Sequence, residues 1–518
     1  MTIQRRIAIA VVILAAVFVA RHVSHRHDAS TMAAPTKAAT SMTAAPAEWR
    51  LGSLRLTPCE LGQPHTALSI AAWCAPFEVP EDRAHPQGRK IAMRLAVVRS
   101  DAQVPAPDMV VFLAGGPGQA ATQTYAAVEP AMAGVQAHRN VLLLDQRGTG
   151  GSHPLGCRDS EPGDAGESDE GGLDLARVRR ETQHCLDALS PTADVRFYTT
   201  TDAVADLEDA RRALGSPAVD LIGVSYGTRV AQQYAMHHPD AVRTLVLDGV
   251  VPNSLVLGEE FAMNLDAALK ARFADCTADA ACHARFGDPY QTLYQLRDAL
   301  RANPHKVTFR DPQTYASTQR MLSSYVLATV VRMFAYSPET SALLPLSVDA
   351  AAHGDVGPLL GQAKLLAADL GDTMGSGLQY SVLCSEDASE LQPRPQDKEL
   401  ILGDAMIEAF RTVCSVWPHG ARPADFRQPL KSAVPALLMS GQYDPVTPPR
   451  YGDAVAKDLP NGRHVVLKGQ GHNVVMRGCM PRLLSEFIDK ADAKALDAGC
   501  LDRLSSLPPF VGFNGATP

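Results

Sequence analysis

Positive charge is scarce in this chain: 48 Lys and Arg stand against 56 Asp and Glu, a net charge of −8, with no basic run to line a groove. Binding of nucleic acid through neutralised phosphates is therefore not expected. Aromatic residues make up only 6% of the 518, yet 46% are hydrophobic, so a large core must be built from aliphatic side chains and the chain is neither disordered nor fibrous. The ten Cys include no CxxC pair, which removes the usual zinc and thioredoxin-like spacings. HExxH and GxGxxG are also missing, and the adjacent His237 and His238 would diverge by about 100° on a helix, so no metal or dinucleotide cofactor is expected.

Long hydrophobic runs are missing too. The longest, at 7–20, follows Arg5-Arg6 and has 14 residues, short of the roughly 20 that span a bilayer comfortably. A charged segment followed by such a run has the form of an export signal, although Phe18 fits poorly as a residue preceding a cleavage site after Ala20. Residues 1–27 are expected to be an export signal or a short membrane anchor and 28–48, rich in Ala, Thr and Pro, a linker. The three His at 22, 25 and 27 fit a solvated flank better than a metal site. Export leads to an oxidising space, periplasmic or secreted, where disulfides persist. Pairing nearest neighbours gives Cys59–Cys74, Cys157–Cys185, Cys276–Cys282, Cys384–Cys414 and Cys479–Cys500, each closing a short local loop. The acidic stretch 158–174 would be a solvated excursion clipped by the second of these.

From Trp49 onward, short apolar runs alternate with helical stretches. Runs at 91–98, 109–113, 141–144, 221–224, 245–247, 436–439 and 465–467 read as buried parallel strands, because a parallel sheet covered on both faces needs apolar residues at every position. The class is α/β. An interval far longer than a crossover separates the run ending near Val250 from the one starting near Val434. Helical spacing at 258–273, 290–300, 320–334 and 400–413 predicts a mostly helical cap over 254–430. The core would then comprise 49–253 and 431–518, with the cap over the carboxyl edge where open α/β sheets place their sites.

The chemistry starts at Gly223-Val224-Ser225-Tyr226-Gly227, between an apolar strand and a helical run. That is the setting of a nucleophile elbow, whose glycines permit a strained turn between strand and helix. A serine nucleophile needs a base and an acid that orients the base, in the chain order Ser, Asp or Glu, His. Asp444 and His472 follow the runs 436–439 and 465–467. Asp248 is the rival acid and His464 the rival base; His464 abuts an apolar strand, whereas His472 follows a Gly-rich turn. The developing oxyanion needs two N–H donors, one after the nucleophile and one after an earlier strand. Tyr226 and Gly116 are the candidates, with Gly115 as the alternate.

Taken in order, Gly115-Gly116-Pro117-Gly118, Asp145-Gln146-Arg147-Gly148-Thr149-Gly150, Gly223-Val224-Ser225-Tyr226-Gly227-Thr228, Leu247-Asp248-Gly249-Val250, Asp444-Pro445-Val446-Thr447-Pro448 and Gly471-His472 resemble α/β-hydrolase serine peptidases of the prolyl iminopeptidase and tripeptidyl aminopeptidase group. The tripeptidyl-aminopeptidase-like branch is the closer likeness. Ala114, where cytosolic prolyl iminopeptidases carry His, argues against strict proline specificity. The resemblance implies an α/β-hydrolase fold and an exopeptidase acting on peptides with a free N-terminus. It implies also that cap carboxylates receive the substrate ammonium, for which Glu386 and Asp387 are the candidates. Asp145 and Arg147 read as an internal charge pair that braces the loop beside the oxyanion glycines and not as reactants. An esterase with the same triad is the alternative, because the fold fixes the nucleophile and the cap fixes the substrate. A catalytically silent scaffold would be expected to lack a triad member.

Overall fold

A computed structural model describes residues 48–63, 66–156, 171–373, 375–512 and 514–516. The expected export segment 1–27, nearly all of the linker, Cys157 and most of the acidic stretch lie outside the described residues. Among the described residues no helix is long and apolar enough to cross a membrane.

Ten strands form one sheet in the order β1-β2-β3-β4-β6-β5-β7-β8-β11-β12. Its parallel half comprises β5 (Met109–Leu113), β6 (Val141–Leu144), β7 (Val219–Val224), β8 (Val242–Asp248), β11 (Ala436–Gly441) and β12 (Gly462–Leu467). In β6, β7 and β11 every residue is buried, and alternate side chains enter different clusters. Leu142, Leu144, Leu221 and Leu438 join one face. Val141, Leu143, Ile222 and Leu437 join the other. Helices Thr200–Ala213 and Tyr226–His237 contribute to the first face, and Ala121–Gln136 and Met480–Lys490 to the second. This two-sided burial is what makes the runs continuously apolar.

The amino-terminal half of the sheet departs from the sequence reading. Strand β4 (Lys90–Val98) pairs antiparallel with β6, and β1 (Trp49–Leu51), β2 (Leu54–Gly62) and β3 (Ser69–Pro80) extend it as an antiparallel meander. These three strands were not expected: they are partly exposed, and Pro58, Pro76 and Gly62 interrupt their alternation. The Cys59–Cys74 bond crosses between β2 and β3. Cys276–Cys282, Cys384–Cys414 and Cys479–Cys500 are also formed. Four bonds close as paired from the sequence; the fifth involves Cys157.

Between β8 and β11 lies the long insertion. Helices Phe261–Ala278, Pro289–Ala302, Ser324–Phe334 and Leu344–Ala352 bury their own apolar cluster, which includes Leu265, Phe273, Leu293, Leu327 and Val331. Residues 320–322 are not helical: β9 (His305–Arg310) and β10 (Ser317–Leu322) form a hairpin, and Ser323 then caps the next helix by accepting the Val326 N–H at 3.2 Å. Helices Ser376–Glu386 and Ala405–Cys414 place Val382, Leu383, Val413 and Cys414 in the core cluster of the first sheet face, so part of the insertion belongs to the body of the fold.

Candidate active site

Ser225 joins β7 to helix Tyr226–His237 at φ 54° and ψ −121°, a conformation that L side chains rarely adopt. The surroundings hold it there. Its N–H donates to Asp248 O at the end of β8 (2.8 Å), and its carbonyl accepts from Thr228 N (2.9 Å) and Thr228 Oγ1 (2.6 Å). A Cβ on Gly223 would lie 2.4 Å from Gly227 O, and one on Gly227 would lie 2.3 Å from Leu113 O. The spacing of the motif is therefore a steric requirement of this turn.

Asp444 and His472 stand on the loops after β11 and β12. Buried Asp444 accepts the N–H groups of Val446 and Thr447 on Oδ1, each at 2.8 Å, and Thr447 Oγ1 on Oδ2 at 2.8 Å. His472 Nδ1 lies 2.7 Å from Asp444 Oδ2. Burial works to raise the Asp444 carboxyl, but His472 and the two N–H donors outweigh it and hold the group below the usual aspartate value. Burial likewise works to lower His472, and the carboxylates of Asp444 and Asp248 outweigh it, leaving the imidazole above its ordinary value. With Nδ1–H directed at Asp444, neutral His472 presents Nε2 as its free acceptor. The ring also packs at the end of β8: its Cε1 would be 3.0 Å from a Cβ on Gly249, the residue after the carbonyl that holds Ser225.

Neither rival takes these places. Asp248 spends its carboxylate on the backbone, with Val474 N at 2.9 and 2.8 Å and Val475 N at 2.8 Å; burial pushes it up to about 6. His464 is bound at both ring nitrogens, to Asp453 Oδ1 (2.8 Å) and Ser440 Oγ (2.9 Å). This second Ser-His-Asp chain ends on a serine with no solvent exposure inside β11.

The glycine loop lies against the serine. A Cβ on Gly115 would approach Ser225 Cβ to 3.2 Å, and Gly116 and Gly118 adopt φ 111° and 116°. Gly118 O accepts from Gly375 N of the insertion at 2.8 Å. Tyr226 opens the helix after Ser225; its buried hydroxyl accepts from Gln146 Nε2 (3.2 Å) and lies 2.6 Å from Thr200 Oγ1. Gly115 and Tyr226 thus adjoin the serine, and Gly116 follows Gly115 in the loop.

Two expectations fail. Asp145 and Arg147 do not pair: Asp145 accepts Thr122 N (2.8 Å), Thr122 Oγ1 (2.9 Å) and Gly151 N (2.9 Å), whereas the Arg147 fork grips Asp206 at 2.6 and 2.7 Å. Glu386 and Asp387 are not available to a substrate ammonium, because they are buried and every carboxylate oxygen already has an internal donor. Glu386 accepts Thr200 N (2.6 Å) and Thr200 Oγ1 (2.9 Å). Asp387 is held by Arg229 (3.1 Å), Arg427 (2.9 Å) and the Leu257 N–H (3.0 Å). Buried charges must be paired, and here the partners are internal.

The structure adds residues that sequence reasoning missed. Thr447 Oγ1 sits 2.8 Å from Asp444 Oδ2 and 3.1 Å from His472 Nδ1. Its position three residues after Asp444 in a Pro-flanked turn is the one sequence signal of that role. From the insertion, Tyr336 O accepts the His472 N–H at 2.7 Å, and its ring stands edge-on to the imidazole with centroids 5.4 Å apart. Nothing local in the sequence marks Tyr336.

Sheet order, strained serine and Asp-His pair define a serine hydrolase of the α/β hydrolase fold. The chain belongs to that family, whose model matches residues 108–478. Among individual proteins it is 25% identical over 479 residues to a protein named serine protease Hip1 from Mycobacterium tuberculosis, covering 86% of this chain and 88% of that one. It is 26% identical over 482 residues to a tripeptidyl aminopeptidase of Streptomyces coelicolor, covering 84% of each. A Mycobacterium tuberculosis protein named carboxylesterase B is 28% identical over 450 residues, 79% of this chain and 82% of that protein.

Proposed function

We propose that the protein is an exported serine exopeptidase that releases N-terminal residues or short peptides from peptides with a free N-terminus. The observation that carries this reading is the buried Asp444–His472 pair packed against Gly249, the residue after the carbonyl that holds the strained Ser225. Ser225 Oγ attacks the scissile carbonyl while His472 Nε2 takes its proton. The oxyanion is received by Tyr226 N–H and by Gly116 N–H, or by Gly115 N–H, which lies against the serine. Collapse breaks the C–N bond, His472 returns the proton to the leaving amine, and a water activated by the same nitrogen hydrolyses the acyl-enzyme. Relatives named as a serine protease and a tripeptidyl aminopeptidase support peptide substrates, and four disulfides fit an exported chain.

A second reading, an esterase using the same residues, is favoured by the relative named carboxylesterase B. The test compares chromogenic tripeptide and single-residue amides, with free or acetylated N-termini, against a short acyl ester. A serine-directed phosphonate and Ser225→Ala serve as controls. Cleavage of free-amine amides with acetylated ones spared supports the exopeptidase. Turnover of the ester alone, abolished by Ser225→Ala, transfers the triad to the esterase reading. Failure of the phosphonate to label the protein removes both.

A further inference from the structure

The cation nearest in character to an unfilled binding site is Arg332, on helix Ser324–Phe334 of the insertion. It is 8% exposed, and its Nη1 is buried with no hydrogen-bond partner among the described residues. Other arginines with a buried orphan nitrogen differ in kind: Arg83, Arg229, Arg272, Arg394 and Arg427 leave only Nε buried without a partner and place a terminal nitrogen on a carboxylate. Arg332 has no carboxylate within ion-pair distance among the described residues. Its contacts are the Phe261 ring, 4.4 Å from the guanidinium carbon, the Tyr336 ring at 5.9 Å, and a long approach of Nη2 to Tyr336 Oη at 3.4 Å. A buried cation without a counter-charge is costly to keep, and two aromatic faces offset that only in part.

Its location gives the missing charge a source. Tyr336, four residues on in the turn that follows the helix, holds the backbone N–H of His472 through its carbonyl and packs its ring on the imidazole. Arg332 is also close enough for its charge to oppose protonation of His472. In the reaction proposed above, His472 delivers the proton to the departing amine, so Arg332 is joined through Tyr336 to the group that serves the leaving segment.

We propose that Arg332 binds a carboxylate on the leaving side of the scissile bond. The planar guanidinium fork matches a carboxylate in two-point contact. The carboxylate comes either from the C-terminus of a short peptide that leaves as a single residue or from the side chain of an acidic leaving residue. The inference rests on the proposed peptidase reading for its substrate class, not for the placement of the arginine.

The experiment measures kcat/KM on matched peptides with a free N-terminus. One pair has leaving Ala as the free acid or the C-terminal amide; the other has leaving Asp or Asn, both amidated. The expected result is a preference of about 10-fold or more for the charged member of at least one pair, and the pair that shows it names the source. Arg332→Gln should bring that ratio close to one, and Arg332→Lys should retain part of it. If Arg332→Gln does not fold, the Lys variant carries the test through a reduced ratio. A ratio near one in the unaltered protein on both pairs, or an undiminished ratio in the variants, overturns the proposal. If no peptide is cleaved but esters are, the peptidase reading falls. The arginine is then tested on an acyl ester of a hydroxy acid, as free acid against amide, with the same two outcomes.

Discussion

Asp248→Asn tests whether the geometry between Ser225 and His472 is set by a residue that reacts with neither. Asp248 holds the serine through its carbonyl (2.8 Å to Ser225 N) and the histidine loop through its carboxylate, on the N–H groups two and three residues past His472. Asparagine keeps the shape. Its amide oxygen can take the Oδ2 position, which accepts Val474 and Val475 at 2.8 Å each, but its NH2 then faces Val474 N where Oδ1 accepted at 2.9 Å. Losing a charge-assisted bond of this kind costs about 1.5–3 kcal/mol. If the loop passes that cost on to the transition state, kcat falls by about 10- to 150-fold, at 1.4 kcal/mol per decade, with KM changed less. The Asp248 carboxylate is also one of the charges that raise His472, so the acidic limb of the pH–rate profile should move to lower pH. Stability should respond separately. Burial raises Asp248 from 3.8 to about 6, so the stability linked to its proton is full below 3.8 and is lost as pH rises through about 6; the variant should lack that loss. Single-turnover acylation with a chromogenic substrate, followed from pH 5 to 9 beside urea unfolding, reads both effects. A kcat within threefold of the unaltered protein, with the acidic limb unmoved, would refute the reasoning.

Thr447→Val keeps the backbone N–H on Asp444 Oδ1 but removes the hydroxyl shared between Asp444 Oδ2 and His472 Nδ1; acylation should slow by about 10-fold or more, with the thermal midpoint little changed by calorimetry. Because Asp444 is among the groups that hold His472 above its ordinary value, rate should rise with pH through a pKa above 6.5, and Asp444→Asn should move that limb down as well as slowing the reaction. Glu386, pushed by burial up to about 7, contributes stability that is full below 4.5 and lost as pH rises through 7. Glu386→Gln should therefore flatten the urea midpoint between pH 5 and 8, and should leave the ratio of free-amine to acetylated substrates as it was.

What the sequence made legible follows from what each element faces. Strands β5 to β8 and β11 read as strands because they are buried and their apolar residues recur with few breaks, whereas β12, half-exposed at the sheet edge, shows only the short run Val465–Leu467. Strand β4 reads as one of the same kind, since an apolar run carries no direction. Strands β1 to β3 were hidden by partial exposure and by proline, and β10 by its short distance from helix Ser324–Phe334, with only Ser323 between them. Ser225, Asp444 and His472 could be named because chain order and strand-end placement constrain them before any contact is known. Glu386 and Asp387 could not be judged that way. Their fate depends on Thr200 and Arg229, 186 and 158 residues away, and on Arg427, 40 residues away. A carboxylate beside a bridged Cys looks the same in sequence whether it meets a ligand or an internal arginine.

The base is held by both parts of the molecule. Asp444, Thr447 and Gly249 come from the loops of the sheet, while Tyr336 comes from the insertion and holds the His472 N–H at 2.7 Å through its carbonyl. Exchanging the insertion for one of different length would thus disturb the base as well as the substrate, so a change in specificity made that way could not be read as recognition alone. Tyr336→Phe separates the two. The carbonyl and the edge-on ring remain, so the acidic limb of the pH–rate profile should stay in place. The hydroxyl 3.4 Å from Arg332 Nη2 is removed, so the ratio between charged and neutral leaving segments should shift by a few-fold. A moved acidic limb with an unchanged ratio would show that the hydroxyl acts on His472 and would place Arg332 outside the path of the leaving group.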